Sequence, residues 1–93
     1  MIRTFAAKET ERIWQGQRSR KFPAAIQERA LRKLRQLDAS LTLEDLRRPP
    51  GNRLEALKGD RDGQWSIRVN EQWRICFVWS DGKADAVEIM DYH

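Results

Sequence analysis

A chain of 93 residues, 40% hydrophobic and 34% charged, is long enough to bury one core, too apolar for disorder and too polar for a membrane protein. Its formal charge of +4 is unevenly divided: residues 1–53 carry 13 Lys/Arg against 6 Asp/Glu and residues 54–93 carry 5 against 8, so a polyanion is the partner expected for the first half. No apolar run approaches the ~20 residues of a membrane span, the first nine residues hold no signal-like apolar stretch, and a lone Cys76 with a lone His93 offers neither a disulfide nor a zinc ligand set, which predicts a cytoplasmic protein without cofactor or metal.

Ile2 to Phe5 reads as a short first strand, and residues 7–15 as a helix that Gly16 ends. Pro23 is expected at the first position of a second helix, which Ile26, Ala30, Leu34, Leu37 and Leu41 mark in steps of four and three. Its other faces carry Arg29, Arg32, Lys33 and Arg35. Arginine suits phosphate because its planar fork binds two oxygens at once, although an ordinary solvated face has the same composition. Thr42-Leu43-Glu44-Asp45 has the spacing of a helix cap, and Arg48-Pro49-Pro50-Gly51-Asn52 breaks helical structure.

Beyond that break the pattern changes from helical to alternating. Trp65, Ile67 and Val69 are interleaved with Ser66, Arg68 and Asn70; Trp73, Ile75, Phe77 and Trp79 with Arg74, Cys76 and Val78. Both read as strands with one buried face, and a last strand runs from about Ala84 to Tyr92 with Val87 and Ile89 in phase. The fold class expected is α+β: one domain over 1–93, with an N-terminal strand and two helices packed on a mainly antiparallel sheet of four to five strands. The four tryptophans are expected in the core, and Cys76 as a small strand residue.

Parity fixes the first hairpin. The apolar residues share a face only if Val69 opposes Trp73 across the loop Asn70-Glu71-Gln72, and that register sets Arg68 opposite Arg74. Like charges across a ladder repel, so two cations held together suggest an anion site; ordinary surface pairing of Arg68 with Glu88 or Glu55 is the plainer alternative. At the next hairpin, Phe77 against Val87 and Ile75 against Ile89 require an odd loop, since the two-residue turn that Asp81-Gly82 would also suit drives Glu88 into the core face. The expected result is a polar sheet face carrying Arg68, Arg74, Glu88 and Tyr92.

The block from Leu54-Glu55-Ala56-Leu57-Lys58-Gly59-Asp60-Arg61 through Trp65-Ser66-Ile67, the run Asn70-Glu71-Gln72-Trp73-Arg74-Ile75 and the ending Asp91-Tyr92-His93 resemble the HigB toxins of bacterial toxin–antitoxin pairs, within the RelE/ParE superfamily. The likeness extends over nearly the whole chain. It implies a RelE-like domain that enters the ribosome and cuts translated mRNA, and a HigA-like helix-turn-helix antitoxin encoded alongside, through which alone operator DNA is met. It also implies roles in cleavage for Lys58, Arg74 and Tyr92, with His93 beside them. Glu55 departs from the pattern, since several such toxins have histidine at that position. Glu55 and Lys58, three residues apart, reach one site only if the strand bulges or ends before Gly59.

RNA brings its own nucleophile, the 2′-hydroxyl, so a nuclease without metal needs a base, cations for the phosphorane and help for the leaving 5′-oxygen. Arg74 and Arg68 supply cations, Glu55 or His93 is the candidate proton carrier, Lys58 holds phosphate, and Tyr92 stacks or orients. Arg29, Arg32, Lys33, Arg35, Arg61 and Arg68 are the expected RNA and ribosome contacts. Two rivals stand beside this reading: a basic nucleic-acid-binding module without cleavage, and a gyrase-inhibiting toxin of the ParE branch.

Overall fold

The computed structural model describes residues 1–91; Tyr92 and His93, both assigned roles from the sequence, lie outside the described residues. Helix α1 spans Lys8–Trp14, α2 spans Ala24–Ala39 and α3 spans Leu43–Arg47. Four strands follow, β1 (Glu55–Ala56), β2 (Gln64–Arg68), β3 (Trp73–Ser80) and β4 (Lys83–Asp91), paired antiparallel in the order β1-β2-β3-β4. The α+β class and the helices-on-sheet arrangement are those expected.

The apolar stripe of α2 packs as its spacing requires. Ile26, Ala30, Leu34 and Leu37 are buried against Ile67, Ile75, Phe77, Val87 and Ile89 of the sheet. All four tryptophans pack partly buried against this core, and Phe22 meets Trp73 edge-on at 5.5 Å, a favoured aromatic geometry. Thr10, fully buried on α1, accepts the Ile89 N–H through its hydroxyl at 3.0 Å, so helix and strand share a hydrogen bond inside the apolar layer. Thr42 and Asp45 form the reciprocal capping box of α3.

Four expectations are corrected. Pro23 is the N-cap of α2, with extended backbone at ψ 137°, rather than its first helical residue; its missing N–H costs nothing in either place. Leu41 leaves the stripe, because α2 ends at Ala39, and is 77% exposed. The first strand reduces to two parallel bridges, Ile2 with Ala84 and Phe5 with Val87, along the free edge of β4. The turn between β3 and β4 has two residues, Ser80 pairing with Lys83, and Asp81 and Gly82 both sit at positive φ, 51° and 74°, as a tight hairpin turn demands.

That turn does not drive Glu88 inward, because the strand repairs its own phase. The register shifts by one between Cys76 and Val78, where Ala86 takes φ 52°. The inserted residue is a bulge that returns Val87 and Ile89 to the core and leaves Glu88 opposite Cys76. Thr4 braces it, its hydroxyl accepting the Ala86 N–H at 2.8 Å.

Candidate active site

Opposite the helices, the sheet carries a row of side chains running across all four strands: Glu55 pairs with Ser66, Ser66 with Cys76, and Cys76 with Glu88. The adjacent row is Arg68, Arg74 and Met90, so the parity argument placed Arg68 against Arg74 correctly. What it missed is depth. Arg74 is only 7% exposed, buried at the centre of what was expected to be an open polar face.

The two opposed guanidinium groups turn to different acceptors. Arg74 Nε donates to Ser66 Oγ at 2.7 Å, and Nη2 donates to the carbonyls of Arg53 at 2.6 Å and Ser66 at 3.3 Å. Arg68 Nε donates to the Asn70 carbonyl at 3.0 Å. These acceptors orient the guanidinium groups through directed hydrogen bonds. Arg53, Arg68, Asn70, Glu71 and Arg74 together line a cavity of about 370 Å³.

A second and larger cavity, about 760 Å³, lies beside β1 and is lined by Glu55, Leu57, Lys58, Asp60 and Arg61 among others. The strand end that Glu55 and Lys58 needed is present. β1 stops at Ala56, the Leu57 N–H still reaches the Gln64 carbonyl at 2.8 Å, and Lys58 opens a 3₁₀ turn over Gly59–Arg61. Gly59, at φ 67°, makes that reversal without the steric cost a side chain would bring. Glu55 and Lys58 therefore border one space despite their odd spacing.

Arg61, expected as an RNA or ribosome contact, is engaged within the protein. Its Nη1 donates to Gln64 at 3.0 Å and its Nη2 pairs with Glu88 at 3.2 Å, so Glu88 is partnered by Arg61 rather than by Arg68. The Cys76 thiol between them is buried and its pKa is pushed up by burial, which fits a packing residue and not a nucleophile.

The α2 cations split into two kinds. Arg29, Arg32 and Arg35 are exposed. Lys33 is half-buried, with Nζ donating to Asn52 Oδ1 at 2.6 Å, and desolvation first, then the neighbouring Arg29 and Arg32, lower its pKa. Asn52 is itself fully buried and donates to Gln36 and to the Leu46 carbonyl. Sequence reading missed Asn52, Arg53 and Ser66 alike: Asn52 ended a segment legible only as a helix breaker, Arg53 followed it as one basic residue among many, and Ser66 looked like any outward strand residue. Among the described residues, no three His, Cys, Asp or Glu side chains are grouped to hold a metal ion, and no helix is long and apolar enough to cross a membrane.

Comparison with known proteins bears on this geometry. A family model described as the RelE-like toxin of the type II toxin–antitoxin system HigB matches residues 3–93. The chain is 45% identical over 85 residues to Toxin HigB-1 of Vibrio cholerae, covering 90% of each. It is 33% identical over 93 residues to Endoribonuclease HigB of Proteus vulgaris, covering all of both. Among solved structures it is similar to a YoeB/ParE toxin from Agrobacterium tumefaciens, with TM-score 0.56, 20% identity and coverage of 99% of this chain and 98% of that one. It is also similar to a YoeB–YefM complex from Staphylococcus aureus, with TM-score 0.59, 20% identity and coverage of 100% and 95%. At that identity the two structures speak for the fold.

Proposed function

The chain belongs to the HigB-like toxin family of type II toxin–antitoxin systems, and from that premise we propose that it is an endoribonuclease, acting as a single domain over 1–93 in the cytoplasm, that cuts mRNA on the translating ribosome. The relative named Endoribonuclease HigB supports the activity; the resemblance already drawn supports the ribosome as the place of cutting and a HigA-like helix-turn-helix protein as the antitoxin. The observation that carries the chemistry is the seat of Arg74, a guanidinium oriented on three uncharged acceptors with Arg68 across the ladder.

The reaction proposed needs no metal. The 2′-oxygen attacks phosphorus, its proton passes to a base, charge builds on the non-bridging oxygens, and the 5′-oxygen leaves with a proton, giving a 2′,3′-cyclic phosphate. Arg74 and Arg68 face the developing charge, where preorganised donors act most strongly. Lys58 holds phosphate or assists proton transfer at the edge of the neighbouring cavity. Glu55, one strand away from the Arg74 seat, is the carboxylate candidate for the base, with His93 the alternative proton carrier and Tyr92 the candidate for stacking. Arg29, Arg32 and Arg35 contribute sequence-independent contacts to RNA backbone.

Primer extension on mRNA from cells expressing the chain tests the proposal. Cuts confined to translated frames are the expected result. Intact mRNA with DNA damage would favour gyrase inhibition instead, and intact mRNA with undamaged DNA would leave a binding module.

A further inference from the structure

We infer that Ser66, together with the main-chain carbonyl of Arg53, is the positioning element that sets the Arg74 guanidinium for the scissile phosphate; the inference rests on the nuclease reading above. Ser66 is 0% exposed on the face of β2 that its alternation turns away from the core. It holds Arg74 at two points, Oγ accepting from Nε at 2.7 Å and the carbonyl accepting from Nη2 at 3.3 Å. The Arg53 carbonyl completes the seat at 2.6 Å.

Arg53 reaches that bond at a conformational cost. It sits at φ 44°, ψ 57°, the left-handed region that residues other than glycine usually avoid and that often marks a function. The Nε–Nη2 edge is thereby fixed in plane and rotation, and a planar fork with one edge fixed has all its donor directions fixed. Ser66 also pairs directly across from Glu55, which places the same buried residue between the candidate base and the candidate cation. A serine kept only for packing would not need its hydroxyl on the guanidinium.

The test is a double-mutant cycle read by single-turnover cleavage on programmed ribosomes, with melting temperature recorded for each variant. Ser66→Ala should lower the maximal rate by on the order of 10²-fold, the scale of a small misplacement of a reacting group, with little change in the concentration of ribosomes giving half-maximal rate. Ser66→Thr, which keeps an acceptor oxygen, should recover most of the rate. Ser66→Cys, close in shape but a weak acceptor, should behave like Ser66→Ala and carries the comparison should the alanine variant melt. In an Arg74→Lys background the loss on Ser66→Ala should shrink to about twofold or less, because the residue then has no fork to aim. Equal losses in both backgrounds, or a threonine variant no better than cysteine while both stay folded, would overturn the inference. An Arg74→Ala protein as active as the parent would overturn the inference too, whereas a parent protein that cuts no mRNA on programmed ribosomes would instead overturn the nuclease reading beneath it.

Discussion

Helix α2 and strand β3 both present arginine, and they hold it in opposite ways. Arg29, Arg32 and Arg35 stand exposed on α2 and form no ion pair among the described residues. Arg74 is sunk to 7% exposure and held at Nε and Nη2. An exposed, rotamer-rich cation adds to a field that attracts any polyanion, whereas a seated one acts along a fixed direction and suits a transition state better than a long backbone. The difference teaches that one charge count conceals two jobs. Lys33 belongs to neither group, since its ammonium is committed to the buried Asn52.

The sharpest way to break the comparison is to remove the seated charge. Arg74→Ala should slow single-turnover cleavage by about 10³-fold while the folded protein still binds its antitoxin, and Arg74→Lys should fail comparably because a point charge cannot use a fork's seat. Glu55→Gln keeps shape and hydrogen bonding while removing the proton acceptor, so a loss on the order of 10²-fold is expected; Glu55→His, whose ordinary pKa of ~6.5 suits a base near neutrality, should keep or raise the rate. A Glu55→Gln protein as fast as the parent would exclude the carboxylate as base.

Weaker and of another kind is the effect expected on α2. Replacing Arg29, Arg32 and Arg35 together by alanine should lower the logarithmic salt dependence of ribosome binding by about 2 to 3 and leave the melting temperature close to the parent's. Asn52→Ala should do the reverse, destabilising by about 2 kcal/mol as the groups around it lose their partner, seen as a lower melting temperature with an unchanged salt slope. Smallest is the cap of α3. The Leu41 and Thr42 N–H groups hold the Asp45 carboxyl below its ordinary pKa. Its folded value thus lies under the unfolded ~3.9, so its contribution is present above that pH and is lost as pH falls through the folded value. Asp45→Asn should flatten the acid limb of a melting-temperature profile and little else.

Where local pattern decides structure, the sequence was readable. The α2 stripe followed from spacing, the capping box from Thr42 and Asp45, and the Arg68–Arg74 pairing from the parity of apolar residues on one face. Parity names a face and says nothing of what covers it. The Arg53 carbonyl reaches Arg74, so the seat of that guanidinium depends on a contact spanning 21 residues that no alternation encodes. The bulge at Ala86 was equally silent, because alanine carries no signal for positive φ; without it the tight turn and the core register looked mutually exclusive, and the protein has both. Tyr92, set on the polar face by the same parity, and His93 lie outside the described residues.

The bridges between Ile2 and Ala84 and between Phe5 and Val87 also bear on how the molecule comes into being. Each joins residues 82 positions apart, so the closure that completes the sheet is among the most non-local the chain can make, and non-local closures come late in folding. During synthesis the residues around Ile2 and Phe5 emerge long before their partners on β4. β3, with Arg74, likewise lacks its β4 neighbour until Lys83–Asp91 has been translated. A nascent chain that has not yet reached β4 thus carries β3 with an open edge where residues 83–91 will pair.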